Sequence, residues 1–145
     1  MKTIVALVDF SDVTFKVLKQ VHQLAKAFGS HVTILHVVPK EPVVVDFGLV
    51  SPTVLREPSP EHVREDERML RELQESLTKF GVDARAEQLT ESTVDRVLAE
   101  IERLGADLVI MGSHRHSAIY NLLVGSVTEN VLKRVTCPVL LVPAD

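Results

Sequence analysis

Near the end of the chain, "MGSHRHSAIYNLLVGSVTEN" holds two histidines and an arginine between Gly112 and Gly125. These residue types suit an anion. An apolar run ends at Met111-Gly112, a loop follows, and Gly125-Ser126 opens a helical pattern expected over residues 127–135. A helix N-terminus presents unpaired N–H groups and a partial positive charge, which together receive a phosphate. Gly125 admits a ligand close to the backbone, and Ser126 and Thr128 add hydroxyl donors. His114 and His116 flank Arg115 and make a locally basic spot. The same residues also admit a reading without ligand. Ser126 and Glu129 stand at the S-x-x-E spacing of a capping box, and Gly112 serves equally to turn the chain out of a strand. Spacing alone leaves both readings open and favours the structural one, because short motifs misfire often.

Other chemistries find less support. His114-x-His116, with His22, His31, His36 and His62 elsewhere, has neither a cysteine pair nor a His-Glu helix motif beside it, so a metal site is not expected. His36 is read as closing its strand among neighbours. Ser113 and Ser126 lack the G-x-S-x-G elbow of a hydrolase nucleophile. There is no Walker A sequence and no G-x-G-x-x-G. Cys137, before Pro138, is expected as a buried structural residue, since a reactive thiol needs an electropositive setting. No acid–base pair is evident beside the loop, which argues against efficient hydrolysis.

The elements that must position this loop repeat one theme. "TIVALVD" is a nearly continuous apolar strand of the kind covered on both faces. Ser11 or Asp12 can cap the following helix, whose inner face is Val13, Val17, Val21, Leu24 and Phe28 before Gly29. "HVTILHVV" is the second strand. Residues 39–60 carry prolines at 39, 42, 52, 58 and 60 and are expected as a long loop within the domain, its apolar "VVVDFGLV" packing on something. Ser59-Pro60 opens a second helix with Val63, Leu70, Leu73, Leu77 and Phe80 inside and the charge run "REDER" outside, ending at Gly81. "VDARAEQLT" alternates as a more exposed third strand. Ser92 and Asp95 are read as a capping box for a helix with Val94, Val97, Leu98 and Ile101 inside, closed by Gly105. "ADLVIMG" and "VLLVP" are the fourth and fifth strands. Strands alternating with helices predict one α/β domain over residues 1–145: a Rossmann-like, five-stranded parallel sheet with helices on both faces. With strand order 3-2-1-4-5, the order reverses between the first and fourth strands, where such folds bind ligands. Those strands end at Asp9 and Gly112.

Composition agrees. The chain is 46% hydrophobic and 25% charged, as globular domains are. No run reaches the ~18 apolar residues of a membrane span, and no signal-peptide pattern opens the sequence. One cysteine precludes an internal disulfide, so the expected compartment is the cytoplasm. A net charge of −4 disfavours nucleic acid and anionic membrane as partners.

Four stretches, "IVALVDFSD", "ILHVV", "ADLVIMGSH" and "LLVGSVTENVLKRVTCPVLLVP", carry a resemblance to the universal stress protein family over essentially the whole length. Its nucleotide-binding members share Gly, two residues, Gly, nine residues, then Gly followed by Ser or Thr. Gly112 and Gly125-Ser126 fit that spacing, and Arg115 stands where the second glycine belongs. The resemblance implies a protein that binds ATP (or ADP or AMP, with or without Mg²⁺) in the stress response without being an efficient enzyme. It implies Asp9 at the ribose, Val37 at the adenine, and Gly112, Gly125, Ser126 and Val127 at the phosphates. Met111, His114, Arg115 and Thr128 complete the implied nucleotide-binding set. Arg115 keeps its backbone N–H and brings a guanidinium able to pair with a phosphate, but it also fills space, so loss of binding and service as a dimeric interaction module is the competing reading. A slow ATPase is a third. Homodimerisation through the last strand, Val139–Val142, is implied as well, and it would cover an apolar edge.

Overall fold

The computed structural model describes residues 1–113, 131 and 133–143. The elements are β1 (Thr3–Val8), α1 (Thr14–Phe28), β2 (His31–Val37), β3 (Glu41–Val44), β4 (Thr53–Arg56), α2 (Pro60–Lys79), β5 (Asp83–Leu89), α3 (Val94–Arg103), β6 (Leu108–Gly112) and β7 (Val139–Val142). β1, β2, β5, β6 and β7 form one parallel sheet in the order β5-β2-β1-β6-β7, which is the predicted 3-2-1-4-5. β1 is central because it is apolar on both faces. Ile4, Ala6 and Val8 join the core shared with α1 and α2. Val5 and Leu7 join the core shared with α3 and Val131. Each fully buried Val or Leu contributes about 1.5–3 kcal/mol.

Local chemistry sets the helix ends. Ser59 accepts the His62 N–H at 3.2 Å and Pro60 occupies the first turn of α2, as predicted. α1 has no side-chain cap at Val13; Asp9 does the neighbouring work, and neither Ser11 nor Asp12 caps. α3 starts one residue later than the expected capping box. Thr93, not Ser92, accepts the Arg96 N–H at 3.2 Å. Gly29 ends α1 at φ 63°, where an L side chain would be strained. Phe28 and Phe80, expected inside, are exposed in the last turns, and the α1 stripe closes on Ala25 instead. The drift of a 3.6-residue period carries the final aromatic of each apolar series off the sheet.

Residues 39–60 are not simply a loop. β3 and β4 form an antiparallel ribbon registered Glu41↔Arg56 to Val44↔Thr53, extended by Val45 N–H to the Pro52 carbonyl at 3.0 Å. Proline 42 is tolerated there because a two-stranded ribbon is all edge. Its bend carries exposed Phe47, Leu49 and Val50. Of the predicted last helix, only residues 131 and 133–135 are described. Val131 is buried, and its carbonyl accepts the Val135 N–H at 2.8 Å.

Candidate functional site

The sheet register gathers the first candidates. Val8 lies beside His36 and Leu7 beside Met111, so Asp9, Val37 and Gly112 leave their strands at nearly one level. This is the carboxyl end of the sheet, at the reversal between β1 and β6. Asp9 follows β1 and is half-buried. Its Oδ1 accepts the Ser11 N–H at 2.9 Å and the Thr14 hydroxyl at 3.3 Å. One carboxylate oxygen thus makes the turn that leads into α1. Phe10, next in the chain, has φ 60°, the one non-glycine residue in that region among the described residues. The Ser11 hydroxyl is buried and has no hydrogen-bond partner among the described residues.

Val37 and Met111 put their side chains into the core on the α3 side, at 2% and 5% exposure. Gly112 is packed tightly. A Cβ on it would meet Val13 Cγ1 at 2.5 Å and Cγ2 at 3.2 Å. Its glycine is thus required by the approach of Val13, the N-cap of α1, and no positive φ is involved. Ser113 donates its N–H to the Val142 carbonyl at 3.0 Å, tying the strand end to β7. His114, Arg115, Gly125, Ser126, Val127 and Thr128 lie outside the described residues. The structure therefore presents the β1, β2 and β6 ends of the site.

One feature of this end was missed from the sequence. His36 is 2% exposed, with Nδ1 at 3.0 Å from the Val8 carbonyl and Nε2 at 3.2 Å from Asp66 Oδ2. Phe10 packs on its ring at 4.3 Å between centroids, tilted 47°. Asp66 belongs to "REDER", read as a solvated face, yet it is 6% exposed. The signal was present in the periodicity: positions 63, 66, 70, 73 and 77 form the inner stripe of α2, and Asp66 is the polar member of it. Asp66 Oδ2 also meets His62 Nε2 at 3.3 Å, and His62 Nδ1 lies 3.7 Å from Glu41 Oε1. Hydrogen bonding to Arg56, and to the backbone of Ser59, holds the Glu41 carboxyl below its ordinary range.

A second buried carboxylate lies on the opposite face. Glu100 of α3 is 2% exposed and binds Arg96 at 2.7 Å and Arg103 Nε at 2.8 Å. Arg103 foremost, then a hydrogen bond with Glu87, holds Glu100 down to about 2, whereas burial and then Glu100 push Glu87 up. Cys137 is half-buried where a buried residue was expected, and burial raises its thiol. Among the described residues no three His, Cys, Asp or Glu side chains are grouped to hold a metal ion. No described helix is long and apolar enough to cross a membrane.

An open parallel sheet whose central loops meet at a strand-order reversal defines the doubly wound, ligand-binding class of α/β domains. Within that class the chain belongs to the universal stress protein family, whose model matches residues 1–143. It is 30% identical over 141 residues to the universal stress protein MJ0531 of Methanocaldococcus jannaschii, covering 97% of this chain and 81% of that one. A universal stress protein in complex with cAMP superimposes with a TM-score of 0.70 at 23% identity, covering 99% and 98% of the two chains. The universal stress protein from Archaeoglobus fulgidus in complex with dAMP does so at 0.68 and 20%, covering 97% and 96%. These two likenesses are likenesses of fold.

Proposed function

We propose that this protein binds an adenine nucleotide, ATP in the first place, at the carboxyl end of the sheet, and serves the cytoplasmic stress response as a nucleotide-dependent module without efficient turnover. The observation that carries this reading is the shared level of Asp9, Val37 and Gly112 at the β1–β6 reversal. It is supported by two structural neighbours that are complexes with dAMP and cAMP. The residues present suit such a ligand: Asp9 supplies a carboxylate for ribose hydroxyls, and the buried Ser11 hydroxyl lacks a described partner. Val37 and Met111, their side chains packed in the core, would border the adenine through the backbone at their strand ends. Gly112, Gly125, Ser126, Val127 and Thr128, with His114 and Arg115 beside them, would hold the phosphates through backbone N–H groups, hydroxyls and positive charge. ADP or AMP would be alternative ligands, with or without Mg²⁺. The chain would pair with a second copy through β7, which lies at the sheet edge and bonds to β6.

The test is calorimetric titration of ATP, ADP and AMP into nucleotide-stripped protein, with and without Mg²⁺, beside Arg115→Gly and Gly125→Lys. Micromolar ATP binding that Gly125→Lys abolishes is the expected result. Binding by Arg115→Gly alone would overturn it in favour of a dimeric interaction module with a blocked site. Light scattering at micromolar protein should give twice the chain mass.

A further inference from the structure

We propose that His36 is the positioning residue of this site: held as an imidazolium by Asp66, it clamps both chain neighbours of Asp9. The functional half of this inference rests on the adenine-nucleotide reading. The charge follows from counting donors and acceptors. The Val8 carbonyl only accepts, so Nδ1, 3.0 Å away, carries a proton and donates it. A neutral ring then has a lone pair at Nε2, aimed at a carboxylate oxygen 3.2 Å away. Two acceptors cannot bond, and burial makes the mismatch costly for both groups. One added proton resolves it, and on the ring it makes Nε2 a donor to the carboxylate.

The surroundings favour that placement. Among the described residues, the charged and titratable groups in this network are Asp66 and His62 of α2 and, behind His62, Glu41 of β3, itself paired with Arg56. β5 presents neutral Gln88 in register beside it, its amide given to the Val63 carbonyl. Phe10 offers an aromatic face to the cation. The consequence is local. Val8 is tied by its carbonyl and Phe10 by its ring, so Asp9 sits between two residues gripped by one side chain. That grip keeps Phe10 at an uncommon positive φ and holds the Asp9 Oδ1 turn to Ser11 and Thr14.

The experiment uses the intact protein labelled with ¹⁵N-histidine. At pH 7 the His36 ring should show both nitrogens protonated in the parent. In Asp66→Asn the amide can donate to Nε2, and the ring should become neutral with its proton on Nδ1. A neutral parent ring overturns the proposal. Positioning is read from exchange of the Ser11 amide, which does not depend on nucleotide. It should quicken about tenfold or more in Asp66→Ala and be restored in Asp66→Asn. His36→Leu should weaken ATP binding about tenfold with its circular dichroism unchanged. Should His36→Leu not fold, Phe10→Leu, which leaves the buried pair in place, should loosen Ser11 in the same direction. Parental Ser11 protection in these variants overturns the clamp. If the parent binds no ATP while the ring is charged and Ser11 responds, the nucleotide reading falls and the clamp stands.

Discussion

Asp66 and Glu100 are both buried carboxylates on helices, one on each face of the same sheet, and they are held by different kinds of side chain. Glu100 meets two arginines, always charged, whose guanidinium groups reach it from α3 itself. Asp66 meets two histidines, one from β2 and one from its own helix. An arginine pair keeps its own charge throughout the ordinary pH range. A histidine pair is conditional on a proton, and this one touches the backbone at the carboxyl end of β1. The difference separates a brace from a part of the candidate site.

Removing each carboxylate should expose that difference. The largest effect is expected for Asp66→Ala, about 3 kcal/mol in urea unfolding at pH 7, because the buried His36 Nε2 would lose its partner. A loss under about 1 kcal/mol would put Asp66 in the same class as a solvated surface acid. Glu100→Gln should cost less, about 1–2 kcal/mol, since the arginines retain water on their outer sides. The pH dependence has a definite sign. Glu100 is held at about 2 against an ordinary 4.5, so its stabilisation is complete above about 4.5 and is lost as pH falls towards 2. Raised Glu87 opposes part of that loss. Unfolding measured at pH 7 and pH 3 should therefore show a smaller difference in Glu100→Gln than in the parent. The smallest effects belong to the two helix caps. Ser59→Ala and Thr93→Ala should each cost about 1 kcal/mol. A clearly larger loss for Ser59→Ala would show that its cap is coupled, through Glu41 and His62, to Asp66.

The same contrast marks how far the sequence could be read. The strand order and the β1–β6 reversal follow from continuous apolar runs separated by helical periods, and those signals are strong because both faces of the sheet are covered. Asp66 and Glu100 were hidden by averaging: each sits on the inner stripe of its helix but within charged surroundings, "REDER" and "LAEIER". Their partners lie elsewhere in the chain or one helical turn away, and only position on the stripe betrays them. The β3–β4 ribbon was obscured by its prolines, which argue against a central strand and are silent about an edge. Gly112 illustrates a third kind of miss. The residue was expected as a turn or a phosphate contact, and its tight neighbour is Val13, which no local pattern connects to it. Thr93 and Val13 show that cap positions shift by a residue when tertiary contacts choose the first turn.

The central place of β1 has a consequence for synthesis. Its partner β2 follows closely, but β6, which covers its other edge, begins at Leu108. At ~5–20 residues per second, a ribosome takes on the order of 4–14 s to make the intervening chain. During that interval the central strand has one open edge, which residues 108–111 later cover.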